Sequence, residues 1–242
     1  MVTRGAGWYP VNQSGGLTIR PTTHLIFFLL SSFILFSCAT STPPPTPQVV
    51  SVYSSLATQP WLTQLYDCAA ESFATIRISD SASASVADIR LQIGEPEVTA
   101  FAYQIDTEEI LIVTQRQSPV QNLTQEDAQA LFMGLGDPSA QVWVYASDAD
   151  VQKVFDQLVM KGRSVTSSAR VAVSPGQMSD TLVNQPNTVG ILPRHWNPST
   201  GSGQALGDVR EVYSVAKVPV LALTNSEPQG VVNNLIACLQ SK

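Results

Sequence analysis

The chain contains few of the residues from which catalytic and metal sites are built. Its 242 residues include two histidines and three cysteines. Only His195 lies beyond the first 37 residues, and no second histidine or cysteine stands near it at the spacing of metal ligands. The sequence therefore predicts no metal site and no cofactor. It offers no nucleophile and base for a reaction, so we do not expect an enzyme.

The chain also lacks an apolar run of transmembrane length. Its most apolar stretch, residues 25–36, has 12 residues, whereas a membrane-spanning helix needs about 20. That length is typical of the central region of a signal peptide. Arg4 and Arg20 precede the run without any acidic residue. We therefore expect residues 1–37 to be a signal peptide.

The end of this run, Leu35-Phe36-Ser37-Cys38, resembles a bacterial lipobox. The resemblance implies that Cys38 is lipidated, becomes the first residue of the mature protein and anchors it to the extracytoplasmic face of the cell membrane. The alternatives are an uncleaved anchor and an ordinary signal peptide with an incidental cysteine. Residues 38–48 form a proline-rich linker that suits a tether, because such segments are extended and build no core.

Basic residues are scarce in the predicted mature chain. Without Arg4 and Arg20, 11 basic residues face 19 acidic ones, which gives a net charge of −8. Nucleic-acid binding depends on phosphate neutralisation by Lys and Arg, so no nucleic acid is expected as a partner. The charge also argues against attraction of the folded part to anionic lipid.

Two further cysteines, Cys68 and Cys238, remain in an exported chain, where cysteines often pair. Each lies at helical spacing from apolar residues, with Leu65 in one helix and Leu235 in the other. If those faces pack together, the two sulfurs can form a disulfide. The alternative is a pair of buried free thiols.

Strand and helix patterns alternate along residues 49–242, which predicts an α/β fold. Thr124 and Asp127 resemble a capping box, and either Asp148 or Asp150 can cap the following helix. Glu108 and Glu109 are interpreted as a solvated turn between two strands, and His195 as a loop residue. The predicted strands cover 49–53, 73–78, 88–93, 100–105, 110–114, 141–145, 169–173, 188–192 and 218–223. The predicted helices cover 58–71, a segment after 124, a segment after 150, 174–185 and 227–240.

Serines stand where predicted strands run into predicted helices. Ser54 and Ser55 precede the first helix, and Ser147 precedes the helix after the strand at 141–145. In open α/β sheets, ligands bind outside the carboxyl ends of the strands. These serines are therefore candidate ligand-binding residues. They are equally explained as helix caps.

Several segments together resemble the phosphate-type substrate-binding proteins of ABC transporters. The resemblance rests on 110–114, on Ser118-Pro-Val-Gln-Asn-Leu-Thr124, on Ala130-Leu-Phe-Met-Gly134 and on 189–192 and 218–222. It implies a two-lobed, type II periplasmic-binding-protein-like fold. Residues 49–109 and 197–242 would form lobe 1, and residues 110–196 lobe 2. The first and last helices would then share a lobe, which favours the Cys68–Cys238 pairing.

The sequence departs from that family at the expected phosphate site. Asp148 and Asp150 stand where the family has an arginine and glycines, and Gln92 lies where it has an aspartate. Carboxylates repel an oxyanion, so phosphate is not the expected ligand. The candidate ligand-binding set is Ser54, Ser55, Ser147 and Gln92, which would bind a small polar or anionic solute, or a cationic one, between the two lobes.

Together these features predict a membrane-anchored extracytoplasmic solute-binding protein. Its expected partners are a small solute and an ABC permease or membrane sensor. The alternative is a surface interaction or sensor lipoprotein that uses the same scaffold without a ligand.

Overall fold

The computed structural model of the chain describes residues 46–96, 100–197 and 209–242. The predicted signal peptide, Cys38 and the linker as far as residue 45 lie outside the described residues. The predictions made for them, and the predicted lobe boundaries, stay predictions. Within the described ranges no helix is both long enough and apolar enough to cross a membrane.

Strands and helices alternate along the described chain, which confirms the predicted α/β class. The strands are β1 (Gln48–Ser54), β2 (Ala74–Ile78), β3 (Ile89–Ile93), β4 (Phe101–Gln115), β5 (Gln141–Val144), β6 (Arg170–Val171), β7 (Thr188–Pro193) and β8 (Val209–Thr224). The helices are α1 (Leu62–Glu71), α2 (Gln125–Phe132), α3 (Asp150–Phe155), α4 (Pro175–Asn184) and α5 (Gly230–Ser241). Short 3₁₀ turns span Leu56–Trp61, Ser81–Val86 and Arg194–Trp196, and a π turn at Asp156–Met160 continues α3.

All eight of these strands form one sheet, in the order β2-β1-β3-β8-β4-β7-β5-β6. The three strands at each end run parallel to one another. The two long strands β4 and β8 pair antiparallel in the middle, from Phe101 opposite Thr224 to Gln115 opposite Val209. The long central pair therefore joins the two parallel ends into a continuous sheet.

Two hydrophobic clusters lie along this sheet. The smaller cluster joins α1 and α5 to β1 and β3, and includes Leu65, Ile89, Leu91 and Leu235. The larger cluster joins α2, α3 and α4 to the other end of the sheet, and includes Phe132 and Phe155, whose ring centroids are 4.6 Å apart. Because β4 and β8 contribute to both clusters, each cluster is fixed to the same pair of strands.

Pro219 stands inside β8, although proline is usually confined to sheet edges. Pairing between β3 and β8 ends at Val220, and the Pro219 carbonyl then accepts a hydrogen bond from the amide of Gly94. The N–H and C=O of one residue point to the same side of a strand. The missing N–H of Pro219 therefore faces the end of β3, and pairing with β4 is unaffected.

The central strands are longer than the sequence predicts. The polar residues 106–109 were expected to separate two strands, but β4 runs through them without a break. Likewise β8 begins at Val209 rather than near Val218. The polar segment stays extended because its backbone pairs with Val220 to Lys217 of β8, a partner more than 100 residues away that local polarity does not reveal.

The predicted helix caps agree with the structure for α2 and differ from it for α3. The capping box of Thr124 and Asp127 is confirmed at the start of α2. The prediction that Asp148 or Asp150 caps α3 is wrong, because Ala149 occupies the cap position and no side chain caps the helix. The carboxylate of Asp150 reaches other segments instead.

The predicted disulfide is confirmed: Cys68 of α1 is bonded to Cys238 of α5, with Cα atoms 5.8 Å apart. The two residues are separated by 170 positions. The bond therefore closes most of the described chain into one loop and holds the first helix against the last.

Replacing both cysteines with serine should lower the free energy of unfolding by about 2–4 kcal/mol, because the reduced chain gains entropy when it unfolds. Urea denaturation of the wild type and the Cys68→Ser/Cys238→Ser variant measures the difference. A change below about 0.5 kcal/mol would show that the bond contributes little to stability.

Candidate functional site

The two candidate serines at the carboxyl end of β1 are both engaged in hydrogen bonds. Ser54 Oγ, at the end of β1, lies 2.8 Å from Thr58 Oγ1 of the first 3₁₀ turn. Ser55 Oγ donates to Asp150 Oδ2 over 2.6 Å. Ser55 thus connects the end of β1 to the start of α3, 95 positions further along the chain.

Asp150 also accepts hydrogen bonds from two backbone amides. The amide of Ile93, at the end of β3, donates to Oδ2 over 2.9 Å, and the amide of Val151 donates to Oδ1 over 2.9 Å. One carboxylate therefore joins the ends of β1 and β3 to the first turn of α3. We call this group, made of Ser55, Ile93, Asp150 and Val151, the Asp150 junction.

The other two candidate residues lie apart from these contacts. Ser147 is exposed in the turn before Asp150. Gln92 is half-buried in β3 and alternates with the buried Leu91 and Ile93, so it faces the opposite side of the sheet. Ser55 is the member of the predicted set that reaches the Asp150 junction, and ligand binding by the set stays a prediction.

Two tyrosines flank the junction. Tyr145 is 5% exposed, and its buried hydroxyl has no hydrogen-bond partner among the described residues. Burial raises the pKa of Tyr145 well above its ordinary value, and the charge of Asp150 adds to the effect. Burial, Asp150 and Asp148 likewise raise the pKa of Tyr53. Both hydroxyls therefore keep their protons and remain hydrogen-bond donors.

Close packing accompanies the polar contacts. Gly94 follows Ile93 with a φ of +81°, and a Cβ at this position would lie 2.7 Å from Val154 Cγ2 of α3. Glycine is required here because a side chain would meet Val154 and would also disfavour the left-handed backbone. The end of β3 consequently lies directly against α3.

A second set of contacts joins the first 3₁₀ turn to the turn after β7. Trp61 is 2% exposed and packs on the ring of His195, with centroids 4.6 Å apart. His195 Nδ1 lies 2.9 Å from Glu108 Oε2. Trp196 Nε1 donates to the carbonyl of Ala57 over 3.1 Å.

These contacts correct the expectation that Glu108 and Glu109 form a solvated turn. Glu108 is 1% exposed, because β4 continues through it and directs its side chain under His195. Burial raises the pKa of Glu108, while His195 and backbone amides act in the opposite direction. Glu109 pairs with Arg194 over 2.8 Å and accepts a hydrogen bond from Ser214. His195 is thus part of a packed network rather than a free loop residue.

Two cavities in the described protein lie away from the Asp150 junction. One of about 510 Å³ lies between Val86–Asp88 and 224–229, at the start of α5. The other, of about 330 Å³, lies beside Arg77 and Ser83. Neither is lined by any of the four candidate serine and glutamine residues. Within the described ranges no group of three or more His, Cys, Asp or Glu residues is arranged to hold a metal ion.

Comparison with known proteins shows likeness at the level of structure. No family model matches the chain. No curated protein matches its sequence. Solved structures do match, and one is a phosphate ABC transporter substrate-binding protein with bound phosphate from Clostridium perfringens. It has a TM-score of 0.66 and 15% identity, over 79% of this chain and 93% of that one.

Two further structures show the range of proteins with this architecture. An ABC-type phosphate transport receptor from Vibrio cholerae has a TM-score of 0.57 and 17% identity, over 81% of this chain and 94% of its own. The reduced form of the OxyR2 regulatory domain from Vibrio vulnificus has a TM-score of 0.61 and 10% identity, over 81% of this chain and 96% of its own. The chain therefore has the type II periplasmic-binding-protein fold, which serves both transport receptors and regulatory domains.

The sequence did not identify Asp150 as the centre of the junction. Its available signal was the pair of carboxylates, Asp148 and Asp150, where the resembled family has an arginine and glycines. On the sequence alone, that departure indicates only that the carboxylates repel an oxyanion. Ser55 and the amide of Ile93 supply partners that no local pattern shows.

Glu108 should make stability depend on pH in a defined direction. Its pKa is raised above the ordinary 4.5 in the folded protein, so the folded state binds a proton more tightly than the unfolded chain. The free energy of unfolding should therefore fall as pH rises from 4.5 through the folded pKa. Urea denaturation across this range should show a flatter profile for Glu108→Gln.

The matched control is Glu71→Gln, since the Glu71 side chain is 62% exposed. It should keep the wild-type slope. A Glu108→Gln profile with the same slope as the wild type would show that Glu108 ionises normally.

Proposed function

We propose that the protein is a membrane-anchored, extracytoplasmic solute-binding protein that serves an ABC permease or a membrane sensor. A small polar solute would be held between the two hydrophobic clusters. The observation that carries this proposal is the Asp150 junction, where polar groups converge from the end of β1, the end of β3 and the start of α3. The unpartnered hydroxyl of Tyr145 gives the same region of the described chain a further donor.

The structural likeness to transport receptors supports this choice. The Clostridium perfringens protein carries phosphate, and the Vibrio cholerae protein is a phosphate transport receptor. For this chain we propose a different ligand class, because Asp150 and the exposed Asp148 make the region negative. Two like charges about 4 Å apart repel by about 4 kcal/mol near a protein surface. A neutral polar solute or an amine fits this charge better than an oxyanion.

A second candidate function is a ligand-independent interaction or sensor protein. The observation that favours it is that Ser55 and the Ile93 amide already donate to Asp150. A site whose donors are satisfied within the chain needs no solute. The likeness to the OxyR2 regulatory domain is compatible with such a use of the fold.

Calorimetry of the full chain, purified in detergent, distinguishes the two candidates. We expect heat and a thermal shift with at least one small amino or neutral polar compound, and neither with phosphate, sulfate or molybdate. Ser55→Ala should weaken binding about two- to tenfold through the loss of one hydrogen bond. Ser139→Ala, at a turn serine bonded to Asp137, should not. No response to any compound would reject solute binding and favour the second candidate.

The anchor is tested through Cys38. If its lipid holds the protein at the membrane, Cys38→Ala should move most of the protein from the membrane fraction to the soluble extracytoplasmic fraction. Cell fractionation with immunoblotting measures this. The variant Ser37→Ala, which keeps a small residue before the cysteine, should stay in the membrane fraction. Full membrane retention of Cys38→Ala would reject lipidation as the sole anchor.

A further inference from the structure

The contacts of Asp150 are those that a bound oxyanion makes in a protein. One of its oxygens accepts from a serine hydroxyl at 2.6 Å and a backbone amide at 2.9 Å, and the other accepts from a second amide. Hydroxyls and backbone amides are the usual donors to sulfate and phosphate oxygens. All three donors are neutral, and the charge at their centre belongs to the chain itself.

The apolar residues around the junction are buried. Ala57, Trp61 and Ile93 come from the part of the chain that builds the smaller cluster, yet all three pack into the larger one. Each of them is at most 2% exposed. Trp196 adds a hydrogen bond to the Ala57 carbonyl. Apolar residues from the first 3₁₀ turn and β3 are therefore buried against the larger cluster beside the junction without any solute.

Tyr145 adds a buried polar group to this region. Its hydroxyl is buried and has no partner among the described residues, and it lies near enough to Asp150 for that charge to raise its pKa. A buried hydroxyl without a partner is costly, so such groups usually face a ligand or a water molecule.

We propose that Asp150 is an internal ligand, whose carboxylate occupies an oxyanion site formed by the Ser55 hydroxyl and the amides of Ile93 and Val151. The carboxylate excludes free inorganic oxyanions and holds the two clusters together without them. This inference rests on the proposed location of the binding site between the clusters. It predicts that, once the Asp150 carboxylate is removed, these three donors bind an inorganic oxyanion.

The test is to remove the internal carboxylate and offer the anion from outside. Asp150→Ala frees all three donors and removes one negative charge, so the full chain should bind sulfate or inorganic phosphate at least about tenfold more tightly than the wild type. Calorimetry measures the affinities. Adding Ser55→Ala to Asp150→Ala should reduce the gained affinity about tenfold.

Asp148→Ala is the matched control, because it removes an equal charge from the same turn but no donor contact. It should leave anion affinity close to that of the wild type. If Asp150→Ala does not fold, Asp150→Ser keeps a polar residue at the helix start but shortens the side chain and vacates the site, and sulfate should raise its melting temperature while leaving that of the wild type unchanged. A folded Asp150 variant that responds to anions like the wild type overturns the inference, as does an equal gain in Asp148→Ala.

This outcome is independent of the wild-type solute screen. A wild type that binds no solute, together with anion binding by Asp150→Ala, would reject the proposed function and support the internal ligand. If the wild type binds an amine and Asp150→Ala gains no anion affinity, the proposed function is supported and the internal ligand is rejected.

Discussion

The antiparallel pairing of β4 and β8 is the interaction on which the rest of the structure depends. It is the longest pairing in the described sheet, and both hydrophobic clusters are built on it. Three register shifts occur along it, and such bulges bend and twist the strands locally. Since the same two strands support both clusters, the angle between the clusters depends on this twist. The disulfide between α1 and α5 then secures the smaller cluster from the outside.

The Asp150 junction joins the ends of β1 and β3 to the start of α3. The substrate-binding protein from Clostridium perfringens, which has a similar fold, holds a bound phosphate. In this chain, the carboxylate of Asp150 accepts hydrogen bonds from the Ser55 hydroxyl and the Ile93 amide. An internal carboxylate cannot diffuse away, so no solute has to supply the charge at that point. The same feature accounts for both candidate functions. Either an uncharged or cationic solute displaces or joins Asp150, or the closed form is itself what a partner recognises.

The sequence predicts those features that depend on residues close together along the chain. The capping box at Thr124 follows from local spacing and agrees with the structure. Asp150 illustrates what local rules miss: a carboxylate at a helix start is normally a cap, but its partners here lie 95 and 57 positions earlier in the chain. The burial of Glu108 was hidden for the same reason, because its strand is set by pairing with β8.

The central claim, that Asp150 closes the junction without a solute, is tested most directly by hydrogen exchange at the Ile93 amide in the solute-free protein. The neighbouring Gly94 amide is an internal reference, because it donates to the Pro219 carbonyl of β8 and not to Asp150. The account predicts slow exchange at Ile93, comparable to that at Gly94. Fast exchange at Ile93 beside a protected Gly94 would show that the junction is open and would contradict the account.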